Sequence, residues 1–295
     1  MLLQDWSRVF ARLSAQGAGS TRICINRARV VGRIIRNPRF TSLLTLTATA
    51  ILLRPVAAIA EEFYLRAGVG LDRPEETRFT DKDCMSLAPA ALYGCGRGGD
   101  GAPLRSSGDF ETVTGFELGL GYTITQALRL EVLLEYRPSF AFDGRANFLD
   151  PSRRQSVSAD LSTRLGMLAA YSDLTEVGVP KLGPFSPFIG AGIGAAQVKI
   201  DETSMAFPRT TTLVPGDSHT NLAWMLTAGL DLSVAEQMTL DLAWRYTDYG
   251  DIETAGAGGR VVWRDGSREP LVLDLAPTQA KLRGHGLRLS LRYTF

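Results

Sequence analysis

Charged residues recur at alternate positions in several short segments of this chain, and this spacing is the first feature that could support chemistry. In the segment 128–137, Arg129, Glu131, Glu135 and Arg137 share one parity, while mainly leucine, valine and tyrosine share the other. Side chains alternate between the two faces of a β-strand, so these four side chains should point to one side. Arginines and carboxylates that share such a face can form ion pairs or line a path for ions or protons.

Eight segments of the chain show the same alternation of apolar and polar residues. Each is about as long as a tilted β-strand that crosses a bilayer, and helical spacing fits none of them as well. No apolar run reaches the roughly 18 residues that a membrane-spanning helix requires. The predicted strands are 63–71, 114–124, 128–137, 159–171, 187–198, 222–232, 238–249 and about 281–295.

The connections between these strands alternate in length. Residues 125–127 join the second and third strands, and 234–237 join the sixth and seventh, whereas 172–186 is a connection of intermediate length. Short turns at one end and long loops at the other are typical of bacterial outer-membrane barrels, and a soluble eight-stranded barrel does not need this asymmetry. The predicted long loops are about 72–113, 138–158, 199–221 and 250–280.

The last predicted strand carries a second signal of the same class. Leu289, Leu291, Tyr293 and Phe295 share its apolar face, and arginines lie on the opposite face. The strand resembles the C-terminal strand of Gram-negative outer-membrane proteins, in which a terminal Phe with apolar residues at alternate positions is recognised by the barrel-assembly machinery. We predict that these four residues form the assembly signal.

Residues 61–295 as a whole resemble the small eight-stranded outer-membrane barrels, which include opacity-type adhesins and the membrane domain of outer membrane protein A. The resemblance implies an all-β fold, an eight-stranded antiparallel up-and-down transmembrane β-barrel in the cell outer membrane. It also implies that outer-membrane lipid, lipopolysaccharide and the assembly machinery are partners. We expect a monomer whose surface ligand, if it has one, is unknown.

Residues 1–60 differ from the rest of the chain. Eight arginines and one acidic residue occur in 1–39, an apolar run follows at 40–53, and Ala58 and Ala60 supply an A-x-A cleavage site. This pattern predicts a signal peptide cleaved after Ala60, and the alternatives are an inner-membrane anchor or an amphipathic arm. Its removal leaves a net charge of −7, which does not support a nucleic-acid-binding surface.

The polar faces of the eight strands should line the interior of the barrel. We predict a charge network there, because unpaired charges in a narrow interior are costly. Side chains can fill the space inside eight strands, so the network is interpreted as a plug, and the alternative is a narrow porin-like channel for small solutes or ions. The predicted members are Arg66, Glu117, Arg129, Glu131, Glu135, Arg137, Asp160, Arg164, Asp231, Asp241, Arg245, Arg288 and Arg292.

Other residues whose types suggest chemistry do not form a motif. Cys84 and Cys95 lie eleven residues apart in one predicted loop, which in an exported protein indicates a disulfide. A metal site there lacks partners, because the histidines, His219 and His285, are distant in sequence. The glycine- and aspartate-containing run 94–101 lacks the ligand spacing of a calcium-binding loop and predicts turns. We therefore predict no metal, no cofactor and no catalytic residue.

The loops are the remaining candidates for function. Two β-rich runs flank Asp265–Gly266 and predict a hairpin in the last loop. Surface loops on a rigid scaffold commonly carry binding function. We predict a non-enzymatic protein with a structural or surface-interaction role. The alternatives are the narrow channel and, after it, a lipid-modifying enzyme that uses His219 or His285.

Overall fold

The computed structural model describes residues 62–153 and 155–295, which form an antiparallel sheet of fourteen strands. The predicted signal peptide, 1–60, lies outside the described residues. Within them, a 3₁₀ turn at Pro151–Arg153 is present, and no helix is long and apolar enough to span a membrane. The strands are β1 (Glu62–Pro74), β2 (Thr77–Asp81), β3 (Ser106–Phe110), β4 (Val113–Thr125), β5 (Leu128–Ala146), β6 (Gln155–Asp173), β7 (Phe185–Ile200), β8 (Thr203–Ala206), β9 (Thr210–Val214), β10 (Asp217–Ala235), β11 (Met238–Glu253), β12 (Gly259–Trp263), β13 (Leu271–Leu273) and β14 (Thr278–Thr294).

Eight of these strands close into a barrel. Their hydrogen-bonded order is β1–β4–β5–β6–β7–β10–β11–β14, and β14 pairs with β1. Cross-strand partners followed once around the barrel lead from Arg73 back to Phe63, so closure shifts the register by ten residues along β1. Such a stagger tilts the strands against the barrel axis. The predicted eight-stranded up-and-down barrel is confirmed.

Three barrel strands are much longer than the sequence pattern predicts. β5, β6 and β10 contain 19 residues each. The connection predicted at 138–158 is shorter in the structure, because β5 continues to Ala146 and β6 begins at Gln155. A bulge between Arg137 and Phe140 reverses the parity of the inward-facing residues. The alternation is therefore interrupted at a point where the strand itself continues.

The other predicted long loops contain short strands. β2 pairs with β14 and with β3, and β3 pairs with β5. β8 extends from β6, and β9, β12 and β13 continue that sheet. The hairpin predicted around Asp265–Gly266 is present, with Arg260 opposite Val272 and Gly266 at φ 66°, a conformation that favours glycine. These strands extend the barrel wall at its loop end.

The barrel has an apolar outer face and a filled interior. Outward side chains on its strands, such as Leu118, Leu226 and Leu289, are exposed, as expected for a surface that contacts lipid. Inside, β6, β7 and β10 contribute apolar side chains, among them Leu165 and Met225, which are fully buried. Most of the charged side chains come from β1, β4, β5, β11 and β14, and Asp231 of β10 adds one more, so one side of the interior is mainly polar and the other is mainly apolar.

Candidate functional site

Four arginines and four carboxylates form a central cluster inside the barrel. They lie on β1, β4, β5, β11 and β14, where successive inward positions bring the charges to adjacent levels. All eight residues are buried, and the numbers of basic and acidic groups are equal, so the cluster is neutral when every member is ionised. Its members are Arg66, Arg137, Arg245, Arg288, Asp72, Glu117, Glu131 and Glu135.

Arg245 lies at the centre of this cluster and joins two strands. Its Nη1 donates to Glu117 Oε2 at 2.8 Å and to Glu135 Oε2 at 2.9 Å, and its side chain is 1% exposed. Arg288 lies 3.6 Å from Glu117 and 3.5 Å from Glu135. Each of these two carboxylates is therefore shared between arginines, as a buried charge requires.

Asp72 is a member of the cluster that the sequence pattern missed. Its two oxygens accept from Arg137 Nε and Arg288 Nη2, both at 2.7 Å. Arg137 also pairs with Glu135, and its guanidinium lies 4.4 Å from the centre of the Tyr249 ring. Asp72 comes directly after the predicted end of the first strand. One more residue of alternation would have placed it inside.

Arg66 connects the central cluster to two tyrosines. Its Nη2 donates to Glu131 Oε1 at 2.6 Å and to the Tyr171 hydroxyl at 3.0 Å. Tyr64 and Tyr171 each donate their hydroxyl proton to Glu131, at 3.1 and 3.3 Å. These hydroxyls satisfy oxygens of Glu131 that a single arginine would leave without a partner.

A second ion-pair group lies at the opposite end of the interior from the long loops. Arg292 Nη2 donates to Asp231 at 2.8 Å and to Asp241 at 3.1 Å, and Arg129 donates to Asp231 at 2.9 Å. Asp231 Oδ1 and Asp241 Oδ2 are buried and have no hydrogen-bond partner among the described residues. A cavity of about 150 Å³ adjoins this group and is lined by Arg129, Arg292, Asp231 and hydroxyl side chains such as Thr123.

Asp160 and Arg164 do not belong to the interior. Both are exposed on the outer face of β6, and Arg164 lies opposite the outward-facing Tyr136. The inward positions of this strand are the alternate ones, which include the buried Leu161 and Leu165. The alternation predicted that the polar parity of this strand lies inside, whereas the outer part of β6 is polar outside and mainly apolar inside. The structure thus brings together eleven of the thirteen predicted residues, in two groups.

Aromatic side chains close the interior at the loop end. The Phe142 ring lies 5.1 Å from Phe79 and 5.2 Å from Phe110, and Phe110 lies 5.8 Å from Phe140. All four are buried, and Met205 packs in the same apolar core. The sequence pattern did not indicate this aromatic cluster, because all four members lie in predicted loops, Phe79 and Phe110 in 72–113 and Phe140 and Phe142 in 138–158. The available signal was the alternation of Phe140 and Phe142.

The disulfide predicted between Cys84 and Cys95 is present. It closes a loop that Asp81 holds from inside. The Asp81 carboxylate accepts hydrogen bonds from the backbone N–H groups of Leu92 at 2.9 Å, Tyr93 at 2.9 Å and Gly94 at 2.6 Å. Burial raises the pKa of the Asp81 carboxyl, and the three donors act in the opposite direction. Disulfide and carboxylate together fix the first loop.

Replacing both cysteines by serine should open the loop without unfolding the barrel. The crosslink closes a short loop, so its contribution is at most about 3 kcal/mol and is confined to that loop. We expect faster proteolytic cleavage between positions 84 and 95 with an unchanged midpoint of barrel unfolding in urea. Asp81→Asn should give the same cleavage pattern with the disulfide intact. A lower barrel midpoint in the double serine variant would contradict this local role.

The two histidines lie on different strands and share no contact among the described residues. His219 Nε2 lies 3.0 Å from Asp217 and 3.6 Å from Glu253, at the loop end of β10. His285 is exposed on the outer face of β14. Within the described chain no group of three or more histidine, cysteine, aspartate or glutamate side chains is arranged to hold a metal ion.

The residues predicted as the assembly signal share the outer face of β14. Leu289, Leu291, Tyr293 and Phe295 are all exposed, and the Tyr293 and Phe295 rings lie 5.3 Å apart. Arg288 and Arg292, at the alternate positions, face inward and take part in the two ion-pair groups. The strand therefore separates an apolar outer face from a charged inner face.

Comparisons with known proteins found relatives in sequence and in structure. Uncharacterized proteins of Brucella abortus (strain 2308) and Brucella melitensis are each 29% identical over 209 residues, covering 61% of this chain and 68% of theirs. For the solved structure of OprG from Pseudomonas aeruginosa the TM-score is 0.44 at 14% identity, and the match covers 82% of this chain and 99% of OprG. For the solved structure of Neisserial surface protein A the TM-score is 0.35 at 14% identity, and the match covers 79% of this chain and 97% of that protein.

The profile of the family described as "Outer membrane protein beta-barrel domain" matches residues 41–295, which is most of the chain. The closed barrel, its apolar outer face and its charged interior are the features expected of such a domain. The chain therefore belongs to the outer membrane protein β-barrel family, whose members reside in the Gram-negative outer membrane.

Proposed function

We propose that this protein is a closed barrel that anchors structured loops at the cell surface and does not conduct solutes. The observation that carries the proposal is that buried side chains fill the middle of the interior and its loop end. The central cluster occupies the middle of the barrel, and the aromatic cluster of Phe79, Phe110, Phe140 and Phe142 follows it towards the loop end. Eight strands enclose a space that side chains of this size can fill.

The loops support the surface-interaction part of the proposal. Short strands and a disulfide hold them as a fixed extension of the barrel wall. Large apolar side chains are nevertheless exposed there, with Leu87 91% and Val272 68% accessible. Exposed apolar side chains on a rigid support are suited to contact a partner.

A conductance recording tests this proposal. Purified full chain in a planar lipid bilayer should show no steady unitary current, because the buried side chains of the two clusters occupy the interior. A folded fraction must be demonstrated on the same sample by a gel band that shifts on boiling. Steady current steps from the folded protein would contradict the proposal and favour the narrow channel.

One observation favours that second candidate. The cavity of about 150 Å³ lies at the turn end, which is the end of the barrel opposite the long loops. It is polar and borders Arg129 and Arg292, so water and ions can enter this part of the interior. Conduction would require the central cluster to move aside. We propose further that the protein is a monomer without enzymatic activity. We also propose that outer-membrane lipid and lipopolysaccharide surround it, and that the assembly machinery recognises Leu289, Leu291, Tyr293 and Phe295.

A further inference from the structure

The seam between β1 and β14 carries two nitrogen-rich side chains at the loop-side edge of the apolar outer face. Arg73 and His285 are directly opposed across this seam, and both are exposed on the outside. One step towards the turn end, Leu71 and Leu287 face each other with exposures of 60% and 59%. The pair therefore lies where the lipid-facing surface ends.

Aromatic residues beside the pair indicate the same depth. His285 is the cross-strand partner of Tyr246 on β11, and the Tyr246 ring lies 5.6 Å from Trp224. Tyrosine and tryptophan are enriched at the membrane–water interface, where one end of the ring system is apolar and the other is hydrated. Arg73 and His285 are consequently placed at the level of lipid headgroups.

A neighbouring basic residue on the seam has an acidic partner, whereas Arg73 and His285 have none. Arg283 Nε lies 2.9 Å from Asp248. Among the residues that the structure describes, the side chains of Arg73 and His285 make no ion pair and no hydrogen bond. Two opposed groups that both donate N–H bonds, with no acceptor between them, are poorly satisfied by the protein alone.

Two acids lie near the seam, Glu75 and Asp248, and in the described part of the chain neither forms an ion pair with Arg73 or His285. Glu75 follows Arg73 at the next outward position, on the loop side and further from the lipid-facing leucines. Its backbone N–H donates to the carbonyl of Arg283, which fixes this order across the seam. Asp248 is already paired with Arg283. The donors of Arg73 and His285 therefore remain available on the side of the lipid headgroups.

We propose that Arg73 and His285 bind a phosphate group of an outer-leaflet lipid, an inference that rests on the proposed placement of the loops at the cell surface and of outer-membrane lipid around the barrel. The planar guanidinium supplies paired N–H donors that match phosphate oxygens, and the imidazole supplies a further donor across the seam. The acyl chains of the same lipid lie on Leu71 and Leu287, and its sugar or glycerol group lies beside Tyr246. The barrel thereby holds a phosphorylated lipid at one defined position on its circumference.

Native mass spectrometry of the full chain in detergent, with diphosphoryl lipid A added, tests this site. The Arg73→Ala/His285→Ala variant should retain lipid A roughly tenfold more weakly than the unmodified protein, because two charge-assisted hydrogen bonds are lost. Arg145→Ala is the matched control, since Arg145 is an exposed, outward-facing arginine of β5 away from the seam. It should retain lipid A normally, and Arg73→Lys should recover part of the binding.

Three results would overturn the proposal. One is equal retention of fully dephosphorylated lipid A, and another is an equal loss of binding in Arg145→Ala. The third is displacement of lipid A by millimolar inorganic phosphate, which would identify free phosphate as the ligand. Each variant must show the band that shifts on boiling before it is compared. If the double alanine variant does not fold, Arg73→Gln provides the same comparison with a side chain of similar length.

Discussion

Replacing Arg245 by alanine should destabilise the folded barrel by about 3–5 kcal/mol. The guanidinium is 1% exposed and donates to both Glu117 and Glu135. Its removal leaves four carboxylates with three arginines in an interior that water does not reach, and the uncompensated charge costs more than the lost ion pairs alone. Urea unfolding of the protein in lipid vesicles, monitored by tryptophan fluorescence, measures the change in the free energy of unfolding.

A double substitution separates the charge imbalance from the loss of packing. Arg245→Ala/Glu135→Gln restores equal numbers of basic and acidic groups, so it should be less destabilised than the sum of its two single variants. Arg164→Ala is the control, because that arginine is exposed on the outer face of β6, and its loss should change stability by no more than about 0.5 kcal/mol. Equal effects of Arg245→Ala and Arg164→Ala would rule out a buried ion-pair network.

The same substitution should matter less at Arg129. Its side chain is 11% exposed, and it borders the polar cavity at the turn end. Water can solvate Asp231 once the arginine is gone, and Arg292 still donates to that carboxylate at 2.8 Å. We therefore expect a smaller loss of stability for Arg129→Ala than for Arg245→Ala, measured in the same unfolding experiment. The larger of the two stability losses identifies the ion-pair group that is better shielded from water.

Much of the barrel was predictable because its physics is local to each strand. The bilayer requires an apolar outer face, and the narrow interior requires paired charges, so the alternation in 128–137 identifies both faces at once. The prediction failed where that requirement ends. Beyond the lipid, the outer face of β6 is free to be polar. Asp160 and Arg164 therefore lie outside, although their alternation with apolar residues predicted that they face the interior.

Pairing between distant strands was not predictable in detail. Asp72 and Arg288 are 216 residues apart in sequence, and their 2.7 Å contact depends on the register of the seam that closes the barrel. A shift of one residue in that register would turn the whole set of inward side chains outward. The aromatic cluster was missed for a related reason, because the bulge before Phe140 changes the parity that the pattern follows.

Replacing Phe142 by alanine should destabilise the protein by about 3–5 kcal/mol. The ring is fully buried and packs against Phe79 and Phe110 at centroid distances of 5.1 and 5.2 Å. Its removal leaves a cavity between two short strands of the first loop and the extended end of β5. Urea unfolding measures the loss, and Leu87→Ala, at a side chain that is 91% exposed, is the control with an expected change below about 0.5 kcal/mol.

The Phe142 variant also separates the roles of the aromatic cluster and the central cluster in closing the barrel. If the aromatic cluster closes only the loop end, the variant should still show no steady current, because the central cluster around Arg245 blocks the interior below it. Steady current steps in Phe142→Ala would mean that the aromatic cluster alone closes the barrel and that ions pass the central charges. A loss of stability without current in this variant would assign a packing role to Phe142 and the closure of the barrel to Arg245 and its partners.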